Sequence, residues 1–150
     1  MKTIVAKKFK WEAAHRLAWH EGLCSNLHGH SYRMTVELEG QPDERGFLID
    51  FQTIKKLLAP LIDEWDHGIF VADTDTQLLE VVQQTRWKHA VLPYDSTTEN
   101  VCRFVAEFLL TQHLPTLQHH RVSAIRVNVA ETETCYATLT LSIPDKTPEQ

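Results

Sequence analysis

The chain reads as an α+β protein in which a four-stranded antiparallel sheet carries two helices on one face. Three observations predict this. Two stretches of strict apolar–polar alternation open the chain, two more close it, and between them lie two stretches with apolar residues at the 3.6-residue helical period. Strands segregated from helices favour antiparallel pairing, with the helices covering the apolar face of the sheet. At 150 residues the sequence fits a single domain spanning 1–150, long enough to bury about two thirds of the surface its unfolded form would expose.

The first strand alternates Phe9, Trp11 and Ala13 on one side and ends at His15 on that same side. A loop over residues 16–27 follows. The second strand runs from His28 to about Glu39, with Tyr32, Met34, Val36 and Leu38 on one face and Arg33, Thr35, Glu37 and Glu39 on the other. It turns through Gly40-Gln41-Pro42-Asp43. Asp50 is a natural N-cap for a helix carrying Ile54, Leu57, Leu58, Leu61, Ile62 and Trp65, which Pro60 should bend or tighten. A second helix begins where Ser96 and Glu99 match the S-x-x-E capping box and continues through Val101, Phe104, Val105, Phe108 and Leu109. Between them, Asp73 to Asp95 offers a short extra helix around Leu78, Leu79, Val81 and Val82 and a short strand at Ala90-Val91-Leu92. Val122–Val129 and Cys135–Ile143 are the closing strands.

Composition narrows the function. The apolar fraction of 43% and charged fraction of 23% are those of an ordinary globular protein, and no apolar run nears the roughly 18 residues that span a bilayer. A net charge of −5 provides no basic footprint for nucleic acid, so a small-molecule substrate is the default. Met1-Lys2-Thr3-Ile4-Val5 leads straight into strand pattern without a signal-like apolar stretch, and the three cysteines lack the spacing of a disulfide framework. Both observations place the protein in the cytoplasm. Cys102 and Cys135 fall in regular elements and read as small buried hydrophobes, whereas Cys24 lies in a polar loop.

The chemistry concentrates in Cys24-Ser25-Asn26-Leu27-His28-Gly29-His30. On an extended backbone His28 and His30 project from one face, in register with the apolar side of their strand. A pair of histidines at this spacing on a solvated edge would more naturally share the face of Arg33 and Glu37. His15, delivered inward by the first strand, makes a third imidazole, and three protein ligands are the number with which zinc keeps a position open for catalysis. Asp66-His67 follows the first predicted helix, and reads equally as a carboxylate orienting an imidazole for proton transfer or as a histidine favoured by the helix C-terminal dipole. Glu131, ending the third of the four strands, is either solvated or able to bind a ring with paired N–H donors. Thr97, Thr98 and Glu99 are explained by the cap alone.

Taken in order, His15, Cys24, His28-Gly29-His30, Asp66-His67, Thr98 to Asn100 and Glu131-Thr132 resemble the 6-pyruvoyltetrahydropterin synthase and 6-carboxytetrahydropterin synthase family over nearly the whole chain. The resemblance implies that His15, His28 and His30 hold Zn2+, that Cys24 is the base, and that Asp66 and His67 form the other half of a proton relay. It makes Glu131 the anchor for the pterin's amino-pyrimidine edge and places Thr97, Thr98 and Glu99 along the pterin pocket. The three residues between Cys24 and His28 resemble the carboxytetrahydropterin branch. That branch converts 7,8-dihydroneopterin triphosphate to 6-carboxy-5,6,7,8-tetrahydropterin with loss of triphosphate and acetaldehyde, toward 7-deazaguanine nucleosides such as queuosine. Ser96 to Val101 is closer to the animal branch, which keeps 6-pyruvoyltetrahydropterin synthase as the alternative; a non-catalytic zinc or pterin-binding module is the other.

By the same resemblance the fold is the tunnelling fold, in which the sheets of three subunits join into a barrel and two trimers stack as a homohexamer. Active sites in such assemblies lie between subunits, so residues of one chain serve a neighbour's pocket. Arg16, beside His15, is then either a contact for the triphosphate or a plain surface cation. Residues 73–95 look like an insertion in the family pattern.

Overall fold

Alternation in the first forty residues builds a long hairpin. Strands β1 (Thr3–His15) and β2 (His28–Gly40) pair antiparallel along their whole length, from Thr3 opposite Gly40 to His15 opposite His28. The computed structural model describes residues 1–144. Helix α1 (Phe51–Trp65) is capped by Asp50, whose carboxylate accepts the Gln52 amide, and it runs through Pro60 without interruption. Strand β3 (Gly68–Ala72), helix α2 (Thr76–Thr85) and strand β4 (His89–Leu92) come next, then helix α3 (Thr98–His119) and strands β5 (Val122–Ala130) and β6 (Tyr136–Ser142).

The four strands expected from alternation form an antiparallel run, β1-β2-β5-β6. Two short parallel strands extend it, so that the full order is β4-β3-β1-β2-β5-β6. The expected short helix and short strand of residues 73–95 are thus α2 and β4. The unexpected strand β3 holds to β1 through only Ala13 with Gly68 and Ala14 with Ile69. This β3–α2–β4 unit has its own small core of Val71, Leu78 and Val82.

The main core lies between one face of the sheet and helices α1 and α3. Trp11, Tyr32, Met34, Val36, Leu38, Ile125, Val127 and Val129 supply the sheet side, and Ile54, Leu58, Trp65, Val101, Val105 and Leu109 the helix side, each essentially excluded from solvent. Trp11 stacks flat on Tyr32, with ring centroids 5.1 Å apart, and Trp65 of α1 closes over Trp11 and Phe70. Burying side chains of this size stabilises the fold by about 1.5–3 kcal/mol each. The period-2 pattern therefore has one consequence that matters for function: positions 11, 13 and 15 of β1, 28, 30 and 32 of β2, and 127 and 129 of β5 all face the helices.

Two sequence expectations are corrected here. The cap of α3 is Thr97, whose side chain accepts the Asn100 amide, and not the Ser96–Glu99 box, because the Ser96 hydroxyl is buried against His15. Cys135 is not a buried strand residue. It sits exposed in the turn before β6, where hydrogen bonds from Thr132 and Thr134 hold its thiol pKa below the usual value.

Candidate metal centre

Where β1 ends and β2 begins, the strand pattern brings three imidazoles together. His15 and His28 are cross-strand partners and His30 pairs with Ala13, so all three rings leave the same face, with ring centroids 4.7–5.2 Å apart. One nitrogen from each lies within 4.8 Å of the others. Nδ1 of His15 donates to the Ser96 carbonyl at 2.8 Å, and Nδ1 of His28 donates to the Asn26 carbonyl at 2.7 Å. A carbonyl can only accept, so the proton sits on Nδ1 and the lone pair on Nε2.

The Nε2 atoms of His15 and His30 are buried and have no hydrogen-bond partner among the described residues. Such unpaired buried nitrogens are costly in a fold unless something else uses them. Burial lowers the pKa of both rings, against the opposing charge of Glu131, which keeps them in the neutral form that binds metals. The donor set, its tautomers and its orphaned lone pairs all fit a metal ion held by three histidines. Glu131 continues the inward parity of β5 and brings its carboxylate to 3.8 Å from Nε2 of His15 and 3.9 Å from Nε2 of His30.

Asp66 and His67 are arranged otherwise. Asp66 caps the C-terminus of α1, His67 takes the left-handed conformation at φ 59°, and the His67 amide donates to the Glu12 carbonyl at 2.7 Å. The Glu12 amide returns a 2.9 Å bond to the Asp66 carboxylate, which also lies 3.0 Å from His67 Nδ1. These contacts, led by the Glu12 amide, hold the Asp66 carboxyl below its ordinary pKa. The His67 ring is largely exposed and opens onto a cleft of ≈ 380 Å³ shared with Glu12, Ala14, Gly29, Ser31 and Ile69. By strand parity Glu12, Ala14, Gly29 and Ser31 belong to the face opposite the triad. The cleft reaches His30, but neither His15 nor Cys24 lines it.

Cys24 sits half-buried in a single 3₁₀ turn, Leu23–Ser25, and its carbonyl accepts the Leu17 amide, closing the 16–27 loop. Thr97, Thr98 and Glu99 start α3 immediately after Ser96, so the His15–Ser96 contact ties that helix end to the centre. Arg16 is not a loose surface cation. Its guanidinium makes a double contact with Asp75 at 2.7 and 2.6 Å and a third with Gln77. Sequence reasoning missed Ser96 and Asn26 as supports of His15 and His28. A buried serine beside a cap is the only local signal for the first, and the second acts through a backbone carbonyl that no side-chain pattern reveals.

The fold and the centre define a cluster of three histidines on an α+β sheet that could hold a metal ion, and three protein ligands would leave a coordination position for a substrate. The family profile of 6-pyruvoyl tetrahydropterin synthase matches residues 4–141. The chain is 32% identical over 109 residues to the 6-carboxy-5,6,7,8-tetrahydropterin synthase of Haemophilus influenzae, covering 67% of this chain and 77% of that one. It is 27% identical over 134 residues to the enzyme of the same name from Rickettsia bellii, covering 87% and 94%. Its fold is similar to that of Plasmodium vivax 6-pyruvoyl tetrahydropterin synthase, with a TM-score of 0.78 at 20% identity over 95% of this chain and 99% of that one. The Caenorhabditis elegans 6-pyruvoyl tetrahydropterin synthase gives 0.63 at 24% identity, over 93% and 95%. The chain belongs to the 6-pyruvoyl tetrahydropterin synthase family and is a lyase-type pterin enzyme with that family's tunnelling fold. Among the described residues no helix is long and apolar enough to cross a membrane.

Proposed function

We propose that this chain converts 7,8-dihydroneopterin triphosphate and one water to 6-carboxy-5,6,7,8-tetrahydropterin, triphosphate and acetaldehyde, on the route to 7-deazaguanine nucleosides such as queuosine. The observation that carries the reading is the convergence of His15, His28 and His30, with Nε2 left unprotonated on His15 and His28 and with the Nε2 atoms of His15 and His30 buried and unpartnered among the described residues. Relatives that bear the name 6-carboxy-5,6,7,8-tetrahydropterin synthase support the choice of reaction.

In this reading His15, His28 and His30 hold zinc. Bound there, the ion supplies Lewis-acid polarisation of a side-chain oxygen of the substrate. Ser96 and Asn26 fix the tautomers of His15 and His28 through their carbonyls, so neither of these rings has to turn when substrate arrives. Cys24 removes a carbon-bound proton from the substrate side chain, and Glu131 accepts the paired N–H donors of the pterin ring. Thr97, Thr98 and Glu99 line the pocket at the start of α3.

Asp66 fixes the His67 ring at Nδ1, which directs Nε2 to the reacting atoms for proton return. Because His67 opens on the sheet face opposite the triad, the Asp66–His67 pair works in the site of a neighbouring copy. The sheet offers the means of assembly: β4 and β6 are open edges, which closure of three sheets into a barrel and stacking of two trimers would pair. The protein then acts as a homohexamer in the cytoplasm.

Zinc-loaded protein incubated with 7,8-dihydroneopterin triphosphate, with products identified by mass spectrometry, tests the assignment. Metal-dependent 6-carboxytetrahydropterin with acetaldehyde supports it. Formation of 6-pyruvoyltetrahydropterin moves the chain to the other branch, and absence of turnover by the assembled, zinc-loaded protein refutes it in favour of a binding module.

A further inference from the structure

Glu131 stands in an unusual relation to the three histidines. Its two carboxylate oxygens address two different ligand nitrogens, Oε1 at 3.8 Å from Nε2 of His15 and Oε2 at 3.9 Å from Nε2 of His30. Both separations are too long for a hydrogen bond, so the carboxylate does not satisfy the orphaned nitrogens it faces. They come close to what a shared ion requires. Two donors each about 2.0–2.2 Å from one tetrahedral ion stand about 3.4 Å apart. For His15 and His30 a small rotation of a three-bond side chain covers the remaining half ångström, and the same rotation has to carry the carboxylate toward His28, which it does not yet approach within 4.0 Å.

The backbone supports that approach. Glu131 follows Val129 in the inward parity of β5, and β5 lies beside β2, with Ala130 opposite Arg33. The Glu131 amide donates to the Cys135 carbonyl at 3.1 Å, and the Thr132 hydroxyl accepts the amides of Thr134 and Cys135, which closes the turn and pins the backbone at its start. The side chain is only 22% exposed, and its carboxylate is aimed at the centre and not at solvent.

We infer that Glu131 is the fourth ligand of the metal ion in the pterin-free protein, giving a His15–His28–His30–Glu131 donor set. This deepens the proposed function and rests on its placement of zinc at the triad. A carboxylate on the ion cannot at the same moment accept the paired N–H donors of a pterin ring. Arrival of the ring therefore draws Glu131 away and opens the coordination position when a substrate is present to fill it. Until then the centre is closed and its charge partly neutralised, as in a structural site.

The test uses the full chain without any pterin. Zinc affinity is measured by competition with a chromogenic chelator for wild type, Glu131→Gln, Glu131→Asp and His28→Ala, and the cobalt(II) forms are compared by visible absorption. The inference expects Glu131→Gln to bind zinc at least about tenfold more weakly and to shift the cobalt bands. Glu131→Asp keeps the charge but is one methylene too short, so it too should lose affinity. Wild-type affinity with unchanged cobalt bands in Glu131→Gln would overturn the inference. So would wild-type affinity in Glu131→Asp, which would reduce Glu131 to a source of negative field. Undiminished zinc binding by His28→Ala would instead overturn the placement of the ion itself.

Discussion

Replacing Asp75 with alanine should destabilise the protein more than any ordinary surface change, because this carboxylate has two structural tasks. It accepts the Leu78 amide at 3.1 Å as the N-cap of α2, and it receives Arg16 through both Nε and Nη2. Loss of the cap costs about 1 kcal/mol. The side chains are 7% and 20% exposed, so truncating Asp75 also leaves a largely desolvated guanidinium with only Gln77 as partner, a further cost of about 1.5–3 kcal/mol. The sum, about 2.5–4 kcal/mol, is a large part of a typical domain's 5–15 kcal/mol. Urea unfolding of the metal-free chain, followed by the fluorescence of its four tryptophans, measures it. A cycle with Arg16→Ala should return a coupling of about 1–3 kcal/mol. Arg16 holds the Asp75 carboxyl below its ordinary pKa, so the charged form favours the folded state. That contribution is complete above the unfolded pKa of about 3.9 and disappears as pH falls through the lower folded value. The gap between wild type and Asp75→Ala should therefore be full at neutral pH and shrink below about pH 4. A difference under about 0.5 kcal/mol, or no coupling, would place the pair among solvent-screened ion pairs and refute the reasoning.

Cys24→Ala should retain zinc and lose turnover, whereas His28→Ala should lose both; metal content by atomic absorption beside the product assay separates them, and normal turnover by Cys24→Ala would remove the thiol from the mechanism. Tyr32→Phe deletes a hydroxyl that is buried without a partner among the described residues, so urea unfolding should show stability unchanged or raised by up to about 1 kcal/mol. A loss of more than that would reveal a partner for the hydroxyl. Gly40→Ala should destabilise by about 1–3 kcal/mol, since a Cβ there meets the Arg121 carbonyl and lies 2.8 Å from Leu48 Cδ1, where β2 shifts register against β5. A thermal midpoint equal to wild type would show that this corner can relax.

The elements whose patterns are long and whose faces are unambiguous were legible. Thirteen alternating residues in β2 and the apolar stripe of α1 each bury one side against a single core, which leaves little choice of structure. Strand β3 was not legible. Ile69-Phe70-Val71-Ala72 is a short apolar run that could belong to a helix or a strand, and its parallel contact with β1 depends on a partner more than fifty residues away. The cap of α3 moved by one residue for a related reason, since the Ser96 hydroxyl was claimed by His15, eighty-one positions distant.

The sequence by itself determined the antiparallel framework and the three histidines, because strand parity alone puts positions 15, 28 and 30 on the apolar side and local alternation is enforced by burial. Tertiary structure decided everything that depends on distance between separate elements. It set the carboxylate of Glu131 against the His15 and His30 nitrogens, gave Arg16 to Asp75, and turned His67 to the opposite face through a left-handed residue at the end of α1. No periodicity encodes those contacts, because each arises only when hydrogen bonding between distant strands and packing of the helices bring side chains from remote parts of the chain within reach.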